Sequence, residues 1–384
     1  MKKKKKILKP VLSSIIFGIV GGIIGMISAK YFDDFAGIDI YSGDIPVDIF
    51  YVSIIVLVFF TANLIHIIIH EAGHLIFGLM TGYSFISFRI GSFTIIEEDG
   101  KLKIKRFNLP GTAGQCLMMP PESKDGEYPF VIYNLGGVIM NLVLAIMAIW
   151  ISISIERIVF PWNGLLFAFG AVGIFVGVTN GVPMKIGGIS NDGHNILSML
   201  KDEDARKSFH LQLRINGLLS GGIRIKDMPL DTFKLKEDAD LSSPLNTAIG
   251  LMEYNWYLDN MDLEEARRCI DSFKPYLDKV IPLYRNEINC ERMFLDLVGD
   301  CDKDFIDNIY DKDLKNYVKR AKYMIGKKRL LMAYEGFYNK RKDKASKYYK
   351  ELKGLAKKYP IKGEAEMELM LGDWIWDELE GLAI

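Results

Sequence analysis

His70-Glu71-Ala72-Gly73-His74 is the stretch of this 384-residue chain whose residue types and spacing best suit chemistry. On a helix, positions 70 and 74 fall on one face a turn apart, the spacing that two zinc-binding imidazoles need. Glu71, beside them, can take a proton from an activated water. The surroundings make the pattern unusual. Between Phe50 and Met80 no other acidic or basic side chain occurs apart from His66. A carboxylate and imidazoles in so apolar a run are costly unless they hold one another or a metal ion. The five-residue pattern alone arises by chance in many chains. Its longer metzincin form is excluded, because Met80 stands where a third histidine would be.

A catalytic zinc takes three protein ligands and keeps a fourth position for water. The best third ligand is Asp192, which follows Asn180-Gly181-Val182-Pro183 after a Gly-rich irregular stretch and precedes Gly193. Its position is what singles it out, because the topology returns it to the depth of the histidine pair.

That topology follows from charge and hydropathy. Residues 2 to 6 are lysines, ahead of an apolar stretch from Val11 to Ala29. It is long for a signal peptide and has a poor cleavage site, so a retained first span is expected, its lysines in the cytosol by the positive-inside rule. An acidic segment, Lys30 to Asp48, suits an external loop. The second span, about Phe50 to Met80, then carries the histidine pair in its cytosolic half. A third span is expected at about Pro129 to Ile153 and a fourth at about Ile158 to Val182. Trp150 and Trp162 would then lie at the outer interface, and glycines such as Gly136, Gly137, Gly173 and Gly177 would allow close helix packing. Both termini would be cytosolic, in a multi-pass protein of a bacterial cell membrane. Between the second and third spans, Arg89, Lys101, Lys103, Lys105, Arg106 and Lys124 mark a cytosolic loop. Within it, alternating residues on either side of Asp99-Gly100 predict a β-hairpin from Ser92 to Phe107.

At this point the chain resembles the site-2 protease family of intramembrane zinc metallopeptidases. The resemblance rests on His70-Glu71-Ala-Gly-His74, on Asn141 in Gly137-Val-Ile-Met-Asn141, and on Asn180, Pro183 and Asp192-Gly193, and covers about residues 50 to 196. It implies that His70, His74 and Asp192 bind Zn2+, with Glu71 as general base and then acid. It also implies that Asn141 hydrogen-bonds the substrate backbone or the oxyanion. The other reading of Asn141 is an interhelical hydrogen bond. The family's segment between the proline and the aspartate is shorter than the one here, which leaves two competitors for the third ligand. His194 follows Asp192 by two residues, and His66 lies one turn before His70 on the same face.

From about Asn195 onward no stretch is apolar enough to span a bilayer. Leu245 to Leu258 with Asp262 to Phe273, and Leu330 to Tyr338 with Asp343 to Leu352, read as amphipathic helical hairpins. About eight helices in a tetratricopeptide-like or irregular solenoid arrangement are expected, without a clean ~34-residue period. The fold class is therefore mainly α: a polytopic membrane protein with about four spans and a small β-hairpin, then a soluble helical domain. The domains read as 1–49 (first span and external loop), 50–196 (metallopeptidase-like core, with the hairpin loop at 84–121), 197–242 (a helix, then a linker at 216–242 with Gly221-Gly222 and Pro229) and 243–384 (cytosolic helical domain).

With 48 basic and 48 acidic residues the formal net charge is zero, so nucleic acid is not an expected partner. Four scattered cysteines make neither a zinc ribbon nor a disulfide framework. Expected partners are lipid, a transmembrane or membrane-associated peptide substrate, and a cytosolic protein on the helical domain. The expected activity is hydrolysis of a peptide bond in or beside a membrane segment. Two rivals remain: a non-catalytic metal-binding membrane protein with a regulatory or immunity role, and a zinc transporter. A transporter would want polar residues across several spans, and few occur.

Overall fold

The computed structural model describes residues 45–381 except 99, 108–111, 124–126, 159–160, 187–188 and 237–238. The span expected at 11–29 and most of the acidic segment after it lie outside the described residues. The described chain is mainly helical with a small antiparallel sheet, and forms two compact units that interleave along the sequence. One holds the described residues up to Tyr83 together with Glu127–Lys201. The other holds residues 84–126 together with 202–381.

Among the described residues of the first unit, three helices are long and apolar enough to cross a membrane: α1 (Ile45–Met80), α2 (Phe130–Ser154) and α3 (Trp162–Gly181). Prolines set their starts. Pro46 lies in the first turn of α1, while Pro129 and Pro161 immediately precede α2 and α3, positions where a missing N–H costs little. The 36 residues of α1 reach ~54 Å at 1.5 Å per residue, well beyond the ~30 Å of a hydrocarbon core. Its end is a Schellman turn: Gly82 has φ +84°, and Tyr83 N–H donates back to Gly78 C=O. The first half of α1 exposes an almost unbroken apolar surface, including Ile49, Phe50, Leu57 and Phe60. Its second half packs on α2 so closely that a Cβ on Gly73 would sit 2.3 Å from the Gly136 carbonyl oxygen. A two-residue β-ladder (β5, Lys185–Ile186, with β6, Ile189–Ser190) leads into the short helix α4, Asp192–Lys201.

The second unit contains the four strands β1 (Ser84–Ile90), β2 (Phe93–Glu98), β3 (Lys101–Arg106) and β4 (Gly114–Met119), in antiparallel order β3-β2-β1-β4. The hairpin expected around position 100 is β2–β3. Glu98 pairs with Lys101 across a turn whose Gly100 has φ +70°. Helix α5 (Glu203–Ser220) joins this sheet: His210 Nε2 lies 3.0 Å from Pro121 C=O, and Gly217 abuts Met119. Beyond it the stretch expected to be a linker, 216–242, is not loose. Two 3-10 turns, Ile225–Asp227 and Leu230–Phe233, bury Ile225, Met228 and Phe233 in the helical core.

Eight α-helices follow: α6 (Pro244–Asp259), α7 (Leu263–Asp271), α8 (Pro282–Leu297), α9 (Lys303–Ile309), α10 (Lys312–Arg320), α11 (Ile325–Ala333), α12 (Lys342–Ala356) and α13 (Lys362–Gly381). Three of their connections turn on a non-glycine residue with positive φ, at Met261, Cys301 and Lys340. The interval is about 40 residues, a length typical of helical repeats. A charged knot is buried in this core. Arg329, 1% exposed, donates to Glu368 (2.7 Å) and Glu291 (2.8 Å) and lies 3.8 Å over the Phe294 ring.

Candidate metal centre

The first unit gathers the titratable residues singled out in the sequence. His70 and His74 lie on consecutive turns of α1, both buried, with Nε2 atoms 3.2 Å apart. Asp192, the first residue of α4, directs Oδ2 to 3.0 Å from His70 Nε2 and 3.6 Å from His74 Nε2. These three residues form a group that could hold a metal ion. In a tetrahedral site with bonds of ~2.0–2.1 Å, neighbouring donor atoms stand about 3.3 Å apart. The observed 3.0, 3.2 and 3.6 Å bracket that edge. Asp192 Oδ2 is buried yet accepts no well-directed hydrogen bond, which suits an atom whose lone pair faces a cation.

His74 is oriented by the backbone. Its Nδ1 lies 2.8 Å from Tyr133 C=O, an acceptor only, so Nδ1 carries a proton and the neutral ring has its lone pair at Nε2. The His70 ring abuts Gly137, where a Cβ would come within 2.6 Å of Nδ1 and Cε1. Glu71, also buried, follows His70 on the same helix.

Asp192 arrives by a different device. Asn191 ties the loop together with its amide, whose Nδ2 donates to Thr179 C=O (2.7 Å) and Val182 C=O (2.6 Å) at the end of α3. Its Oδ1 accepts from Met184 N–H (3.0 Å) and from His194 N–H (2.9 Å), the latter capping α4. Gly193 then lets α4 press against α3, since a Cβ there would sit 2.1 Å from Gly181 C=O. Sequence reasoning missed Asn191 as the clamp. An Asn ahead of an Asp-Gly helix start was the available signal.

The remaining residues fall beside the group. His66 does not converge with it: Nδ1 lies 3.0 Å from Asn141 Oδ1 and Nε2 2.9 Å from Phe169 C=O. His194 has Nδ1 3.1 Å from Ser198 Oγ. Asn141 is fully buried behind His70, its other amide atom 3.3 Å from His70 Nδ1, so both ends of the amide face imidazoles. Asn180 donates back to Val176 C=O within α3.

Compared with protein-family models, with curated proteins and with solved structures, the chain matches none.

Proposed function

We propose that this chain is a zinc-dependent endopeptidase of the site-2 protease kind, cleaving a membrane-embedded or membrane-proximal segment of another protein or precursor peptide. One observation carries the reading. Two imidazoles on a helix apolar enough to cross a membrane meet the Asp192 carboxylate of α4 at tetrahedral-edge distances, beside a buried glutamate.

His70, His74 and Asp192 would hold the ion. Bound there, zinc supplies Lewis-acid polarisation of the scissile carbonyl and lowers the pKa of the attacking water toward ~7. Glu71 takes that water's proton and returns it to the departing amide nitrogen, keeping the proton count balanced. The exposed apolar face of α1 suits lipid, and packed helices around the site restrict access by bulk water. In this reading the protein is multi-pass, its termini are cytosolic, and the helical unit selects substrates or partners. The rival is a metal-binding membrane protein without catalysis. Glu71 speaks against it, because a carboxylate next to the ligands is the general base that peptide hydrolysis needs.

The test pairs Glu71→Gln with wild type, measuring zinc content and cleavage together on substrates captured from the membrane and identified by mass spectrometry. Retained zinc with cleavage down ~10²–10⁴-fold, the usual contribution of general acid–base catalysis, is the expected result. Cleavage at the wild-type rate refutes the peptidase. A wild-type chain that binds no zinc refutes the metal centre.

A further inference from the structure

His66 is the most elaborately housed side chain in the first unit that the proposed chemistry leaves unused. It is 0% exposed, stacks on the Phe169 ring at 4.2 Å between centroids, and occupies a slot that exists only because position 173 is glycine. A Cβ on Gly173 would come within 2.3 Å of His66 Cε1. We propose that His66, acting through the Asn141 amide, fixes which nitrogen of His70 carries the proton, and so holds His70 ready as a metal ligand. The inference rests on the metal centre proposed above.

One chain of contacts links His66 to His70. Phe169 C=O can only accept, so the His66 Nε2 facing it at 2.9 Å carries a proton. A neutral His66 then has a bare lone pair at Nδ1, which needs a donor. The group facing it is Asn141, whose amide oxygen and nitrogen exchange places by a half-turn about the last side-chain bond. With Oδ1 toward His66 and Nδ2 toward His70, His66 has to be a doubly protonated cation at zero exposure, which is costly. In the same arrangement His70 accepts at Nδ1 and carries its proton on Nε2, 3.0 Å from Asp192 Oδ2. That proton closes the site against a cation.

The half-turn reverses every role. Asn141 Nδ2 donates to His66 Nδ1, and Asn141 Oδ1 accepts from His70 Nδ1–H. His70 Nε2 is left with a lone pair directed at the point where His74 Nε2 and Asp192 Oδ2 converge. Tyr133 C=O imposes the same tautomer on His74 directly. The two ligand histidines are therefore set by two carbonyls, one in contact and one acting through His66 and Asn141. His66 is a positioning residue and does not touch the ion.

The experiment uses the full-length protein in detergent with Zn2+ as the probe. Zinc affinity is read by chelator competition, and imidazole tautomers by 15N chemical shifts of labelled histidine. His66→Phe fills the slot without hydrogen-bonding groups and is expected to weaken zinc 10–100-fold, the usual effect of losing a group that orients a ligand. His66→Gln, which offers a donor to Phe169 C=O and an acceptor to Asn141, is expected to stay within a few-fold of wild type. Gly173→Ala, which displaces His66 without altering a ligand, should follow His66→Phe. In the zinc-loaded wild type, His70 should be protonated at Nδ1 and His66 at Nε2. The tautomer measurement keeps the test open where a variant fails to fold. Tight zinc binding by wild type with equal affinity in His66→Phe overturns this inference alone, as does a His70 bound through Nδ1. A wild-type chain without stoichiometric zinc overturns the metal centre and this inference together.

Discussion

Replacing Asn191 with alanine tests whether the third ligand is delivered by the loop clamp. The wild-type amide makes four hydrogen bonds, two from Nδ2 to carbonyls at the end of α3 and two to Oδ1 from Met184 and His194 N–H. A typical intramolecular hydrogen bond is worth about 1 kcal/mol net, and loss of a helix N-cap about the same. The residue is half-buried, so water recovers part of the loss, and roughly 2 kcal/mol is a fair figure for undocking α4. At 1.4 kcal/mol per tenfold, zinc affinity should fall by up to about 30-fold. Asn191→Ser keeps an oxygen to cap α4 but loses the bonds to the carbonyls, and should fall between alanine and wild type. Asn191→Asp turns an oxygen toward those carbonyls and should be no better than alanine. Chelator competition on the purified protein reads all three. Zinc binding by Asn191→Ala within about twofold of wild type, with none by Asp192→Ala, would refute delivery by the clamp.

Three further outcomes follow from geometry elsewhere. Gly193→Ala forces a Cβ into the Gly181 backbone at 2.1 Å, so it should lose zinc binding at least as severely as Asn191→Ala; normal binding would refute the seating of α4. Arg329→Met strips the shared cation from Glu291 and Glu368, and breaking such a buried network costs about 3–5 kcal/mol, read as a lower urea midpoint for the helical unit. Burial, then the neighbouring Glu368 charge, pushes the Glu364 carboxyl up to about 8 from its ordinary 4.5. Between those values the folded chain keeps a proton that the unfolded chain has released. Stability from this group is full below pH 4.5 and falls as pH rises toward 8, by up to about 1.4 kcal/mol per pH unit. Glu364→Gln should flatten that slope in urea titrations run from pH 5 to pH 9, and an unchanged slope would remove the assignment.

The parts of this protein that were legible in the sequence are those where one local pattern decides the outcome. Long apolar runs gave the three helices, and alternation about a glycine that must adopt positive φ gave the β2–β3 hairpin with its register. Strands β1 and β4 were not found. Arg89 read as a surface charge of a basic loop, yet it is 1% exposed and donates to Gly91 C=O, Thr112 Oγ1 and Gly114 C=O, which ties β1 to its neighbours. The linker expected at 216–242 failed for a related reason. Glycine and proline suggested slack, while the residues that decide the packing, Ile225 and Phe233, are isolated apolar positions with no periodicity to reveal them. In the site, the histidine pair was visible from spacing, and Asp192 only once helix directions had been reckoned. The groups that orient these ligands were invisible because half of them are carbonyls: Tyr133 for His74, Phe169 for His66, Thr179 and Val182 for Asn191. A backbone carbonyl leaves no trace in residue type.

The separation of the ligands along the chain has a mechanical consequence. An ion shared by His74 and Asp192 would act as a cross-link closing a loop of about 120 residues, for which loop-closure entropy gives about 4–5 kcal/mol against the open chain. That loop contains α2 and α3 whole, although neither helix supplies a donor atom. Stripping the ion would therefore loosen helices that never touch it, and thermal unfolding of the first unit would report on metal occupancy before any substrate is added.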